Sequence, residues 1–313
     1  MQTRPPRSVL SLALGIAIVA VSTASILIRL AQQDAPSITI AAFRLALATL
    51  VLAPLAIVRH RAELRALHRR ELILAVSSGI FLAVHFGAWI SSLEYTKVAS
   101  SVVLVSTGPL WVALLSPLFL HEALARGTVL GLASAIVGGI IIAAGDTCVW
   151  DSGLRCDVLT RTSGAGLWGN FLALVGAWAV SGYLLIGRRL RATLSLVPYI
   201  FVVYGVSALC LLGTGLITRS LVLALPPQAY MWIILLALIP QLIGHSTYNW
   251  ALAYLPAALV AVTTLGEPVG SAILAYLILH ESPGSFVLAG AVLIMTGIYL
   301  SARGAQAAKG ALT

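Results

Sequence analysis

The chain has 313 residues, 60% of them apolar and only 9% charged, with a mean hydropathy of +1.01; these values lie outside the range of soluble globular proteins. The net charge of +9 does not signal nucleic acid, because the basic residues sit in short loops between apolar runs rather than in a tail or on one helix face. No long polar stretch or low-complexity segment leaves room for an appended soluble domain, and three scattered cysteines exclude a disulfide scaffold or a zinc site.

In chain order, ten runs satisfy the need for about 20 mostly apolar residues to cross a bilayer. They fall near 8–30, 37–58, 72–94, 98–120, 127–145, 165–187, 195–218, 230–252, 257–279 and 284–302. Arg4 and Arg7 precede the first run as in a signal peptide, but its apolar core is long and no clear small-residue cleavage site follows, so it is expected to stay in the mature protein. The loop after the fifth run holds Cys148 and Cys156, which can pair if it faces an oxidising compartment; Cys210 lies inside an apolar span. The expected fold class is an all-α integral membrane protein of ten transmembrane helices.

Orientation follows from the Lys and Arg residues of the short loops. With the N-terminus in the cytoplasm, inside segments hold Arg4, Arg7, Arg59, Arg61, Arg65, Arg69, Arg70, Arg126, Arg188, Arg189, Arg191, Arg303 and Lys309, and outside segments only Arg29, Lys97, Arg155, Arg161 and Arg219. The excess places both termini inside, on the assumption of a bacterial inner (plasma) membrane.

The second half repeats the first at a constant offset of 159 residues. Tyr95, Pro109, His121, Glu122, Gly131 and Gly138 recur as Tyr254, Pro268, His280, Glu281, Gly290 and Gly297, and Arg29 recurs as Arg188. Five spans per half is an odd number, so the halves, 1–157 and 158–313, are expected to enter the membrane from opposite sides. Inverted repeats support two mirror-related states around a site near the midplane, the basis of alternating access.

The phrases STGPLWVALLSPLFLHE from Ser106 and TLGEPVGSAILAYLILHES from Thr264 are similar to the proline-to-glutamate signature closing the fourth helix of each EamA-type repeat. Over nearly its whole length the chain resembles the EamA family of the drug/metabolite transporter superfamily. The resemblance implies a carrier of small organic solutes, often an exporter of amino acids or related metabolites, that uses no ATP.

A charge at the centre of a membrane helix costs about 3 kcal/mol on insertion scales and needs a partner or a wet cavity. Glu267, near the middle of the ninth span and just before Pro268, is read as a group that exchanges a proton or binds a cationic amino group; the plainer reading is a neutral, hydrogen-bonded packing residue. Arg44, near the centre of the second span, binds a substrate carboxylate or locks helices together through carbonyls or Glu267. His85 and His245 lie at similar depth and suit proton coupling, though a lone intramembrane histidine is more often structural. Trp89 shares a face with His85, and Tyr248 is its repeat counterpart. Trp111 and Trp178 fall near mid-span, where they either pack against lipid or line a substrate path. The two His-Glu pairs lack metal-ligand spacing and read as caps or gate-edge contacts.

The reading is therefore a secondary transporter, most simply an exporter of amino acids or similar metabolites, with protons as a candidate coupling ion, membrane lipid as its surroundings, and no cofactor, metal or nucleic acid. Homodimerisation stays open. The alternatives are a lipid or lipid-linked sugar flippase on the same scaffold and, less in keeping with the absence of a nucleotide loop, HExxH or GxSxG, a membrane-embedded enzyme. Nothing resembles a channel filter.

Overall fold

A computed structural model of the chain describes residues 5–120, 126–150, 154–156, 164–255, 257–264 and 266–310. In chain order its main helices are α1 (Ser8–Ala31), α2 (Ser37–Arg59), α3 (Arg69–Tyr95), α4 (Val98–Leu115), α5 (Arg126–Thr147), α6 (Ala165–Leu190), α7 (Leu196–Ile217), α8 (Pro227–Ala251), α9 (Gly266–Leu279) and α10 (Ser285–Gly310). Local chemistry sets several ends. Pro36 and Pro226 stand at the N-caps of α2 and α8, where a missing N–H costs nothing, and His68 with Glu71 forms a capping box that opens α3. Arg188 and Arg189 occupy the last turn of α6, favourably placed against the helix dipole.

Among the described residues seven helices are long and apolar enough to cross a membrane, and further apolar helix lies in α5, α9 and α10. The ninth run is not continuous: a separate helix, Ala257–Thr263, precedes α9. A two-stranded hairpin, β1 (Cys148–Trp150) and β2 (Leu154–Cys156), departs from the all-helical expectation.

The 159-residue repeat is visible in contacts as well as in letters. Arg29 Nη1 donates to the Leu93 carbonyl at 2.6 Å, and Arg188 Nη1 donates to the Leu252 carbonyl at 2.6 Å. Gln32 Nε2 donates to the Ile90 carbonyl at 2.8 Å, and Arg191 Nε to that of Asn249 at 3.0 Å. Both residue pairs of the second half are those of the first shifted by 159 positions. Helices α3 and α6 pack antiparallel: a Cβ on Gly169 would meet Tyr95 and Thr96, one on Gly182 would meet Phe81, and Thr193, just beyond α6, bonds Glu71 at the start of α3. The Arg29 and Arg188 clusters thus lie at opposite ends of this helix pair. Where α5 crosses α10, repeat-equivalent residues touch, with Ser134 Oγ donating to the Leu293 carbonyl at 2.8 Å. A Cβ on Gly138 would come within 2.7 Å of the Gly290 carbonyl, so only glycine allows that approach.

The core is made of α1–α4 and α6–α8, with Ile28, Ile40, Leu45, Phe86, Ile90 and Tyr204 fully or almost fully buried. Leu12, Val58, Leu209 and Val292 point outward and are exposed, the apolar surface expected of helices whose solvent is lipid rather than water.

Candidate functional site

Helix α4 is discontinuous. Its first part, Val98–Val105, stops at Ser106–Thr107, and a second helical part starts at Gly108. Its repeat counterpart is broken at the matching place, between Ala257–Thr263 and Gly266–Leu274. In each case a proline, Pro109 or Pro268, stands in the first turn of the second half-helix, where the missing N–H is tolerated. Glu267 lies in the first turn of its half-helix, where the helix dipole favours a negative charge.

A cavity opens where these breaks face α3, α6 and α8. Glu267, Thr264 and Ala261 form one side, Val105, Ser106, Gly108 and Pro109 another; His85 and Trp89 come from α3, Val180, Tyr183 and Leu184 from α6, and His245 and Tyr248 from α8. It is small, with room for a few waters.

The wall is aromatic and carries unsatisfied polar atoms. His85 stacks on Trp89 with ring centroids 5.8 Å apart, and its Nδ1 lies 2.9 Å from the Gly176 carbonyl, which makes Nδ1 the protonated nitrogen. His245 meets Phe86 edge-on at 5.2 Å and His85 at 6.4 Å. Trp89 Nε1 and the Tyr248 hydroxyl are buried without a hydrogen-bond partner. Among the described residues the Glu267 carboxylate has neither a hydrogen bond nor an ion pair. Buried polar groups usually have partners, which sets Trp89 Nε1 and the Tyr248 hydroxyl apart.

Arg44 stands behind the wall. It is fully buried, its guanidinium lies 4.1 Å over the Phe86 ring, and its Nε donates to Gln241 Oε1 at 2.9 Å, while Nη1 and Nη2 have no partner. It forms no ion pair with Glu267 among the described residues. Gln241 belongs to a wide-turn segment of α8, Ala237–His245, that contains Pro240; proline removes a helix donor, and such turns recur at functional sites. From Gln241 a polar chain returns to the cavity: Ser246 Oγ bonds the Gln241 carbonyl at 3.3 Å and the Tyr204 hydroxyl at 3.2 Å, and Asn249 Nδ2 donates to Tyr204 at 3.4 Å and to Tyr183 at 2.5 Å.

The structure thus brings Glu267, His85, Trp89, His245 and Tyr248 into one cavity and sets Arg44 one layer behind it. Trp111 and Trp178 lie elsewhere. They pack edge to face at 5.4 Å, Trp111 donates to Thr107 Oγ1, and Trp178 is 41% exposed. Tyr183, Tyr204 and Thr264 were not picked out from sequence; a mid-span hydroxyl is the signal that marks them. His121 and Glu122 fall outside the described residues. Among the described residues no cluster of three His, Cys, Asp or Glu is placed to hold a metal.

Contacts between the repeats close both ends. On one face Arg29 Nη2 pairs with Glu281 Oε1 at 2.9 Å, and Glu281 Oε2 accepts the Val98 N–H that opens α4 at 3.1 Å. On the other, Glu63, in the short helix Arg61–Arg65 between α2 and α3, accepts from the Ser195 N–H at 2.7 Å and from its hydroxyl at 2.5 Å, at the start of α7. Partial burial pushes the Glu63 carboxyl up, but the Ser195 side-chain and backbone bonds and the neighbouring His60 outweigh it and hold the group below the usual carboxylate range.

Two half-length repeats of apolar helices, and broken helices facing each other across a cavity lined by aromatic and polar side chains, are the build of a membrane carrier of small molecules. The EamA-like transporter family model matches residues 8–144 and again 167–303, two stretches separated by the same 159 positions; the chain belongs to this family. A solved crystal structure, titled only as that of a protein, shares the fold with a TM-score of 0.67 at 17% identity, covering 96% of this chain and 99% of its own. No curated protein matches the chain at a significant level.

Proposed function

We propose that the chain is a secondary exporter of amino acids or similar small metabolites, working by alternating access between inverted repeats in an inner (plasma) membrane with both termini cytoplasmic, and coupled to protons. The observation that carries this reading is Glu267: a carboxylate with no hydrogen bond or ion pair among the described residues, at the start of a half-helix, in an aromatic cavity between the repeats. Such a group binds either a proton or the ammonium of a solute, and competition between the two couples their movements. Trp89 and Tyr248 supply flat apolar surface and, through their free N–H and O–H, hydrogen bonds. Arg44, with two free guanidinium nitrogens behind Phe86 and His245, is suited to take a carboxylate once those rings part. The cavity is small, which fits an occluded state that must open on one side at a time.

A second reading, a lipid or lipid-linked sugar flippase, draws on a groove between α2, α3, α6 and α7 lined by Ile38, Ile80, Val84, Leu172 and Leu211. No charged residue lines that groove, so a lipid headgroup finds no ionic partner there, and the metabolite reading is preferred. The test is uptake of a radiolabelled panel of amino acids and nucleosides into proteoliposomes, with and without an imposed pH gradient. Saturable flux of one class that responds to the gradient supports the proposal; no flux from folded protein moves the weight to lipid substrates.

A further inference from the structure

The connector between the two matched repeats spans residues 145–166 and holds two of the three cysteines. In it β1 and β2 pair antiparallel, with Val149 opposite Arg155 and Trp150 opposite Leu154, and the same register sets the Cα of Cys148 opposite the Cα of Cys156. Directly opposed residues of an antiparallel pair have Cα atoms about 4.5 or 5.5 Å apart, depending on whether they exchange ladder bonds. Both separations fall inside the window of about 4.4–6.8 Å that a disulfide spans. A hairpin of three-residue strands is at best marginally stable by itself in water, so this one has reason to be cross-linked. Cys210, the third cysteine, is a free thiol half-buried in α7.

We propose that Cys148 and Cys156, set opposite each other by the β1–β2 register, form a disulfide that staples the connector between the repeats on the outer face of the membrane. Its placement on that face rests on the orientation proposed above; the pairing itself does not. The chemistry is thiol–disulfide exchange with a disulfide-bearing oxidant of the outer compartment. One cysteine thiolate attacks a sulfur of the oxidant and forms a mixed disulfide, and the second thiolate then displaces the oxidant's thiol. The chain gives up two electrons and two protons, and the oxidant's disulfide is reduced to a dithiol. The resulting nine-residue loop restricts the unfolded connector.

The test uses the full-length chain in intact bacterial cells, quenched with acid, denatured and reacted with a polyethylene-glycol maleimide. One adduct per chain is expected before reduction, from Cys210, and three after it. Cys156→Ser is expected to give two adducts with or without reductant, and peptide mass spectrometry of the parent a Cys148–Cys156 cross-link. Three adducts before reduction, or a cross-link to Cys210 or to a second chain, overturn the pairing. A membrane-impermeant phosphine applied to intact cells is expected to open the bond. If only a permeant reductant opens it, the outer placement and the orientation fall, while the pairing stands. Neither result depends on which solute the cavity carries.

Discussion

The two repeats build the cavity with equivalent positions and unlike side chains. Where the first contributes Trp89, Val105 and Gly108, the second, 159 residues on, contributes Tyr248, Thr264 and Glu267; the two histidines, His85 and His245, come from positions whose counterparts are Gly244 and Phe86. The backbone plan is shared, down to the break in α4 and its counterpart before α9. Gly108 cannot take a larger side chain cheaply, since a Cβ there would sit 3.1 Å from Val180 and its carbonyl already accepts from Ser181 at 3.0 Å. The same backbone position carries a carboxylate in the second repeat. A repeated backbone thus carries an asymmetric set of side chains, with a carboxylate in the second repeat where the first has glycine.

That asymmetry is sharpest at Glu267, so Glu267→Gln is expected to have the largest effect. Gradient-driven uptake into proteoliposomes should fall on the order of 10- to 100-fold, the scale of one charge-assisted hydrogen bond, with folding intact by circular dichroism; an unchanged dependence on the gradient sinks the coupling role. Arg44, whose repeat counterpart is the apolar Val203, is next. Arg44→Met is expected to leave thermal stability unchanged or raised, as replacement of buried charges by apolar groups can stabilise by about 1–4 kcal/mol. Flux of a carboxylate-bearing solute should drop, and that of its amidated analogue should not. If both drop together, Arg44 acts through packing.

Smaller effects are expected at the two ends. Arg29→Glu or Glu281→Arg should speed labelling of a cysteine placed at Thr264 by an impermeant maleimide, in a chain with its native cysteines changed to serine. The increase should be only a few-fold, because a partly exposed ion pair is worth about 0–1 kcal/mol. The double exchange should restore slow labelling; failure to do so removes the pair as a latch. The smallest effect belongs to Glu63. Its folded pKa is depressed, so the stability it adds is present above the ordinary carboxylate pKa and fades as pH falls through the lower folded value. The difference in melting temperature between the parent and Glu63→Gln should be constant near neutrality and shrink only in acid, and a difference that grows in acid contradicts the assignment.

Much of this was legible in the sequence because membrane burial leaves a plain signal. Apolar runs located every helix, and the 159-residue offset paired Trp89 with Tyr248 before their common cavity was seen. Glu267 stood out because an intramembrane carboxylate is costly wherever it faces. What stayed hidden depends on rotation about a helix axis and on long-range contact. Hydropathy treats the exposed Trp178 and the buried Trp89 alike. Tyr183 and Tyr204 score as apolar, although their hydroxyls join the chain that starts at Gln241. Arg29 and Glu281 meet across 252 residues, a pairing that no local pattern encodes.

The contact of Ser134 with the Leu293 carbonyl, at repeat-equivalent positions, has a geometric corollary. A point on a twofold axis is its own image, so if the halves exchange conformations, contacts between equivalent residues near that axis change least. On the proposed alternating access, a pair of spin labels attached close to the crossing of α5 and α10 should keep a constant separation, a ruler against which the travel of every other helix is measured.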